Sequence, residues 1–214
     1  MTRYINKTLT CSVCGKSREY RVLSSLTVFD SDLDGYTGGH SIYDIEVECP
    51  YCHNVSHNIT AEVSEKEKNY ILSDEYQKAF QDDRDRYLKR FVETAKRKEA
   101  LRQWLASGHY WLLASWRAFE LNDEKETDYK NHVVNSFKNA MIDDEPVELE
   151  HMCTLVDTLR QLGKFEEARY YAESCMSVME TNNATDEYEY SVFRQEMALI
   201  ENKNTARSAY RENG

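Results

Sequence analysis

Apolar residues follow two different rhythms along this chain. In the first third they alternate: Tyr43, Ile45 and Val47 are interleaved with Asp44, Glu46 and Glu48, and Val55, His57, Ile59, Ala61 and Val63 share one side of a second alternating run. A period of two predicts half-buried strands. The rhythm changes at Ser64, which precedes Glu67 by three residues in the pattern of a capping box, where hydroxyl and carboxylate satisfy free amides at a helix start. Beyond it Tyr76, Phe80, Tyr87 and Phe91 recur at helical spacing. Trp104, Leu105, Leu112, Leu113, Trp116 and Phe119 continue the stripe past a break expected at Ser107-Gly108. Tyr129, Val133, Phe137 and Met141 mark a helix that stops at DDEP, and Pro146 suits the first turn of the next. That next helix carries Leu149, Met152, Leu155, Val156, Leu159 and Leu162 on its core side and ends at Gly163. Phe165, Ala168, Ala172, Cys175 and Met179 mark another, and Phe193, Met197 and Ile200 the last. The expected fold is α+β: a small β unit over residues 1–63, then an all-α domain over residues 64–214. Short connections between amphipathic helices make successive helices antiparallel neighbours.

Composition limits what such a chain does. Of 214 residues 41% are apolar and 30% charged, with 7 Gly and 2 Pro, enough for a core and too few breakers for long disordered linkers. A formal net charge of -11 opposes binding to a phosphate backbone, so no nucleic-acid partner is expected. The basic run Lys96 to Arg102 reads as part of a mixed helix surface, because Glu99 interrupts it and DDRDR precedes it. No apolar run reaches signal-peptide or membrane-span length, which points to a cytoplasmic protein without a membrane partner, where thiols stay reduced.

Four of the six cysteines are spaced for a metal. CSVCG at Cys11 and Cys14, and CPYCH at Cys49 and Cys52, are two Cys-x-x-Cys turns, each able to offer two thiolates from a tight knuckle whose amides point at the sulfurs. Two knuckles make a closed tetrahedral site. The intervening segment is of zinc-ribbon length, so one structural zinc would hold together a unit too small to form its own core. Tetrahedral all-sulfur sites suit iron as well, and Cys-x-x-Cys-Gly followed by Cys-Pro-x-Cys is also a rubredoxin pattern, with His53 replacing the second glycine. Cys153 and Cys175 fall on apolar helix faces and read as small buried hydrophobes.

Between the knuckles, FDSDLDGYTGGHS opens like a calcium-binding EF-hand loop, with Asp30, Asp32 and Asp34 at alternate positions. Ser41 stands where the bidentate glutamate belongs, and strands rather than helices are expected to flank the segment, so calcium is not expected. A polar turn is expected instead, its aspartates capping amides or lying in solvent. His40, His53 and His57 read as neighbours of the metal site or surface residues, since four thiolates already fill a tetrahedron. No phosphate-cradling glycine loop, His-Glu-x-x-His or Gly-x-Ser-x-Gly is present, so no catalytic residues are assigned.

The segment TLRQLGKFEEARYYAESCM resembles the middle of a tetratricopeptide repeat, with Ala168 and Ala172 allowing close helix approach. In order, CSVCG, FDSDLDGY, IYDIEVECPYC, LLASWRAFELNDEKETDYKNHVVNSFKNAM and LRQLGKFEEARYYAESCM together resemble a family of bacterial proteins known as domain of unknown function number 2225, over roughly residues 8–180. The resemblance implies a metal ribbon at the two Cys pairs, an Asp-x-Asp with tyrosines between them, here Asp30, Asp32, Tyr36 and Tyr43, and a tetratricopeptide-like helical body; it implies no activity. Ser12 replaces the usual proline of the first knuckle and His53 the usual glycine of the second. The function expected is a non-catalytic zinc-binding scaffold for a protein or peptide, with a rubredoxin-like iron redox protein as the alternative. In stacks of this kind the first helix of each pair lines the concave face. Arg117 and Arg160 lie off the apolar stripes of the helices near 109–121 and 147–162 and are the candidate contacts for a partner's carboxylate.

Overall fold

The computed structural model describes residues 2–28, 31–38 and 40–211; the side chains of His40 and Ser41 lie outside that description. Among the described residues, two antiparallel hairpins precede eight α-helices. β1 (Arg3–Thr10) pairs with β2 (Ser17–Ser25), and β3 (Val47–Glu48) pairs with β4 (Val55–Ser56). The strands expected over residues 41–48 and 55–63 are thus two residues long each. Residues 40–45 instead wind into a 3-10 turn, His40–Ile45, which delivers Tyr43, fully buried, against Tyr87 and Phe91 of the helical part. Burial of one aromatic ring against two others outweighs the alternation that favoured a strand.

The helices are α1 (Glu65–Ile71), α2 (Asp74–Ala79), α3 (Arg86–Ala100), α4 (Trp104–Leu121), α5 (Glu126–Ile142), α6 (Leu149–Gln161), α7 (Phe165–Thr181) and α8 (Tyr188–Glu201). Ser64, Ser73 and Asp85 cap the first three by accepting backbone N–H bonds. At Ser64 only half of the capping box forms: its hydroxyl accepts from the Glu67 amide, while the Glu67 carboxylate turns to Lys98, 2.7 Å away, and Arg97. α3 packs on α4, α4 on α5, α6 on α7, and α8 against both α6 and α7. Gly163, at φ +71, ends α6 as expected, and the fully buried Ala168 and Ala172 lie in the contact of α7 with its neighbours.

Two helix boundaries differ from the periodicity. Pro146 precedes α6 by three residues, and Glu148 caps that helix. DDEP has another use: the Glu145 carboxylate accepts the amides of Trp104 and Leu105 at 2.7 and 2.9 Å, capping α4 from across the hairpin, and Asp143 accepts from Arg102 and from the Trp104 indole. The break expected at Ser107-Gly108 is absent; α4 runs through it, and the chain turns earlier at Arg102, φ +56. Gly108 is there for space: a Cβ at that position would sit 2.6 Å from the Phe137 ring of α5.

The boundary at residue 63 does not separate two cores. Leu33, Tyr43 and Val55 belong to the main cluster with Phe91, Leu113 and Trp116, while Cys11, Val13, Cys49 and Cys52 form a second cluster with Ile71, Tyr76 and Phe80 of the first helices.

Gly108→Ala gains about 1 kcal/mol of helix propensity but forces the Phe137 ring to move, and overpacking of this kind costs about 1–3 kcal/mol. Urea unfolding is expected to show a net loss of stability, and Phe137→Leu in the same chain to remove that loss.

Candidate metal centre

Each Cys-x-x-Cys turn occupies the tip of a hairpin, and the two tips repeat one backbone pattern. In the first, the Cys11 amide donates to the Lys16 carbonyl at 3.1 Å and the Gly15 amide to the Cys11 carbonyl at 2.8 Å; in the second, the Cys49 amide donates to Asn54 at 2.8 Å and the His53 amide to Cys49 at 2.8 Å. The fifth residue of each tip is left-handed: Gly15 at φ +70 and His53 at φ +54. A residue with a Cβ meets a cost of about 1–2 kcal/mol in that conformation, and His53 is held there by three contacts. Its Nδ1 lies 2.9 Å from Glu48 Oε1, its ring stacks on Phe80 at 4.4 Å, and its carbonyl accepts the Tyr76 hydroxyl at 2.9 Å. His53 is therefore a neighbour of the site, and exposed His57 stands apart from the thiols. His40, like Asp30, lies outside the described side chains.

The hairpin tips bring four thiols together. Cys11 Sγ lies 3.7 Å from Cys52 Sγ, Cys14 Sγ lies 3.7 Å from Cys49 Sγ, and all four sulfurs fall within 4.8 Å of one another. A tetrahedron with metal–sulfur bonds of about 2.3 Å has edges of about 3.8 Å, so the donor set is compatible with one four-coordinate ion. It is the one such group among the described residues. Backbone amides face the sulfurs, from Lys16 to Cys14, from Tyr51 and Cys52 to Cys49, and from Asn54 to Cys52. Burial pushes the Cys14 and Cys52 thiols up; at Cys49 burial acts the same way, but the two amides together with hydrogen bonds from the Cys14 and Cys52 thiols outweigh it and hold that thiol below its ordinary value. Cys153, 6% exposed, and half-buried Cys175 take no part, as expected of packing residues.

A buried polar path leads from the sulfurs into the helices. The Asn54 amide group donates to Cys11 Sγ at 3.9 Å, and its carbonyl oxygen accepts Arg97 Nη1 at 3.1 Å. Arg97, 1% exposed, also donates to the Val55 carbonyl at 2.8 Å and pairs with Glu67 of α1 at 3.3 Å. The expectation of a solvated mixed surface over Lys96 to Arg102 thus fails at Arg97, which faces inward toward the second knuckle. Asn54 and Arg97 carried no signal of their own in the sequence; adjacency to Cys52 was the only hint for Asn54. Above the cluster, burial and the neighbouring Cys49 raise the Tyr20 phenol well beyond its usual range.

The aspartate segment is a turn, but a buried one. Asp34, 4% exposed, accepts the Trp116 indole N–H at 2.8 Å, Arg207 Nη1 at 2.7 Å and the Tyr36 amide at 3.1 Å. Asp32 bridges to Ala209, so the C-terminal segment runs alongside this turn. The carboxylate that an EF-hand would offer to calcium is already committed to protein donors.

The two arginines expected at a partner surface are both used internally. Arg160 has no exposed side chain: it pairs with Asp157 and with Glu196, 2.7 Å away, and donates to the carbonyls of Asn204 and Ala206 at 2.8 Å. It leaves the apolar stripe of α6 because α8 and the returning C-terminal segment supply polar partners there. Arg117 clamps a carboxylate through two parallel bonds, as expected, but the carboxylate is Asp85 at the start of α3, with Nε and Nη2 at 2.9 and 2.8 Å from its oxygens. Glu120 takes the remaining nitrogen at 2.8 Å.

Because Ile71, Tyr76 and Phe80 pack on the cysteines, chelation of the ion or Cys49→Ser is expected to raise amide hydrogen exchange in α1 and α2 as well as in residues 1–63; protection unchanged in α1 and α2 would show independent cores. The Arg117 bonds hold the Asp85 carboxyl below its ordinary value. A depressed folded pKa stabilises above the unfolded value of about 3.9 and loses that contribution as pH falls through the folded value. Arg117→Ala is expected to cost about 1 kcal/mol in urea unfolding at pH 7, and the difference from the parent to shrink as pH falls below about 3.9.

No helix among the described residues is long and apolar enough to cross a membrane. Comparison with known proteins assigns no family: no family model matches the chain, and no match is found among curated proteins or solved structures.

Proposed function

We propose that this chain is a non-catalytic, cytoplasmic zinc protein in which one structural ion at Cys11, Cys14, Cys49 and Cys52 fixes the N-terminal hairpins onto a helical scaffold for a protein or peptide partner. The convergence of the four sulfurs, each pair 3.7 Å apart across the two knuckles, carries this reading. Zinc has no redox chemistry and accepts a closed four-sulfur site, which matches a centre whose surroundings are packed side chains and backbone amides. The α6–α7 hairpin, with its Gly163 turn and alanine contact, supports a tetratricopeptide-like body and the resemblance to domain of unknown function family number 2225. Leu33, Tyr36, Ile42 and Tyr43 join the cluster that includes α4, and a cleft shared with α6 adjoins them, so on this reading the inner face is filled by the chain itself and a partner meets the outward faces.

A second reading keeps the same ligands and replaces zinc by iron in a rubredoxin-like electron carrier. It rests on the same four-sulfur donor set, since tetrahedral all-sulfur sites suit iron as well as zinc and the amides turned to the sulfurs stabilise a tetrathiolate whichever ion it holds. Elemental analysis and a visible spectrum of protein purified without added metal separate the two. One zinc per chain and a colourless sample are expected; sub-stoichiometric zinc, or a red iron-loaded sample from several growth media, would overturn the zinc reading.

A further inference from the structure

Three ionisable side chains are sealed where α6 meets α8. Asp157 and Arg160 come from α6 and Glu196 from α8, and their side chains are 1%, 0% and 0% exposed. The Arg160 guanidinium pairs with Asp157 through Nη2 and with Glu196 through Nε. Its Nη1 donates to the carbonyls of Asn204 and Ala206 at 2.8 Å each, so the C-terminal segment closes over the group. That segment is the thinnest part of the enclosure. The helices α6 and α8 are anchored in the core through Leu155, Leu159 and Phe193, whereas no residue of 202–211 is fully buried.

One guanidinium answers two carboxyls, so with both ionised the sealed group holds an uncompensated negative charge. Among the described residues, no second cation pairs with either carboxyl. From the adjoining turn Asp34 adds its negative field at Asp157, and Asp157 in turn acts on Asp32. Arg207 of the C-terminal segment is engaged by Asp34 at 2.7 Å. Arg169 of α7 pairs with Glu173 at the surface, and burial keeps the Cys153 thiol of α6 neutral by pushing it up. A carboxylate in such surroundings takes up a proton instead of staying charged. The hydrogen bonds point to Glu196 as its carrier. Asp157 accepts from Arg160 on one oxygen and from the Gln161 amide group on the other, whereas Glu196 Oε1 is buried and no described donor reaches it. A proton on Glu196 turns that carboxyl into a donor to Asp157, and burial together with the Asp157 charge holds it well above its ordinary value.

We infer that Asp157 and Glu196 share one proton at neutral pH and that its loss in alkali unlatches the C-terminal segment from Arg160, which makes the pair a pH-sensitive latch. In that step the Glu196 O–H bond breaks, its electron pair stays on the carboxylate, and hydroxide or a buffer base takes the proton. Two ionised carboxylates then compete for one guanidinium and need water, which reaches them most readily where residues 202–211 cover them. The other ties of that segment are few. The Leu33 amide donates to Ser208 and the Tyr210 amide to Ser31, both at 2.9 Å, and the Gln195 side chain donates to Ala209 at 2.7 Å. The latch does not depend on which ion the four cysteines hold or on any partner.

The test compares the full metal-loaded chain with Glu196→Gln, which keeps an N–H donor for Asp157 and cannot ionise. A carboxyl that holds its proton in the folded chain above the unfolded value, about 4.3 for Glu, contributes stability that is lost as pH rises toward the folded value. In urea unfolding between about pH 5.5 and about pH 7.5, the ratio of unfolding constants, parent over variant, is expected to rise about tenfold per pH unit, the slope of one proton. Trypsin cleavage after Arg207, with the variant digested alongside, reads the latch itself. Between about pH 7 and about pH 9 it is expected to rise at least about fivefold more in the parent than in Glu196→Gln, since cleavage follows the population of the open form. Should Glu196→Gln fail to fold, Asp157→Asn removes the other member of the pair and is read in the same way. The inference is overturned if the ratio of unfolding constants does not vary with pH, or if cleavage after Arg207 rises alike in parent and variant.

Discussion

Four sulfurs held within 4.8 Å of one another cannot all carry charge unless a positive ion sits among them. The tips of the two hairpins are arranged around that constraint. The strands β3 and β4 have two residues each and β1–β2 is largely exposed, so neither hairpin buries enough apolar surface to be stable alone. An ion that ties both tips together closes the long loop between them and replaces the core that the unit lacks. The backbone contributes by turning amides toward the sulfurs at both tips, which lowers the cost of gathering negative charge there.

The same centre is coupled to the helices by an apolar contact with Ile71, Tyr76 and Phe80 and by buried polar groups. Asn54 and Arg97 join Cys11 to α3, and Glu67 joins α1 to the same guanidinium. A second set of ties lies further along: the Glu46 carboxylate accepts from Tyr110 and its main-chain carbonyl from Arg90, Asp34 meets Trp116 and Arg207, and Asp44 meets Tyr4 and Tyr87. Buried charged groups gain little net stability over apolar ones, but breaking one partner leaves an uncompensated charge and costs about 3–5 kcal/mol. They therefore fix one arrangement of hairpins on helices. Arg160, between Asp157 and Glu196, acts in the same way where α6 meets α8 and the C-terminal segment.

Local signals in the sequence were faithful where local forces decide. The paired Cys-x-x-Cys spacing led directly to the four clustered thiols, and helical periodicity located the helical region, the end of α6 at Gly163 and the alanine contact of α7. The misreadings share one cause, a partner distant in the chain. Gly108 reads as a helix break until the Phe137 ring is seen above it. Arg160 reads as a contact for a partner until residues 204–206 fold back over it, and Asp34 reads as part of a polar surface turn until Trp116 and Arg207 reach it. Alternation over residues 41–48 predicts a strand because nothing nearby reveals that Tyr43 will be drawn between Tyr87 and Phe91.

X-ray absorption at the edge of the metal carried by the purified full-length protein tests the central claim, that one ion is held by Cys11, Cys14, Cys49 and Cys52 alone. The account predicts a first shell of about four sulfur scatterers, near 2.3 Å if the ion is zinc, and loss of that shell in Cys49→Ser. A shell containing nitrogen or oxygen, or one that survives the substitution unchanged, would contradict it.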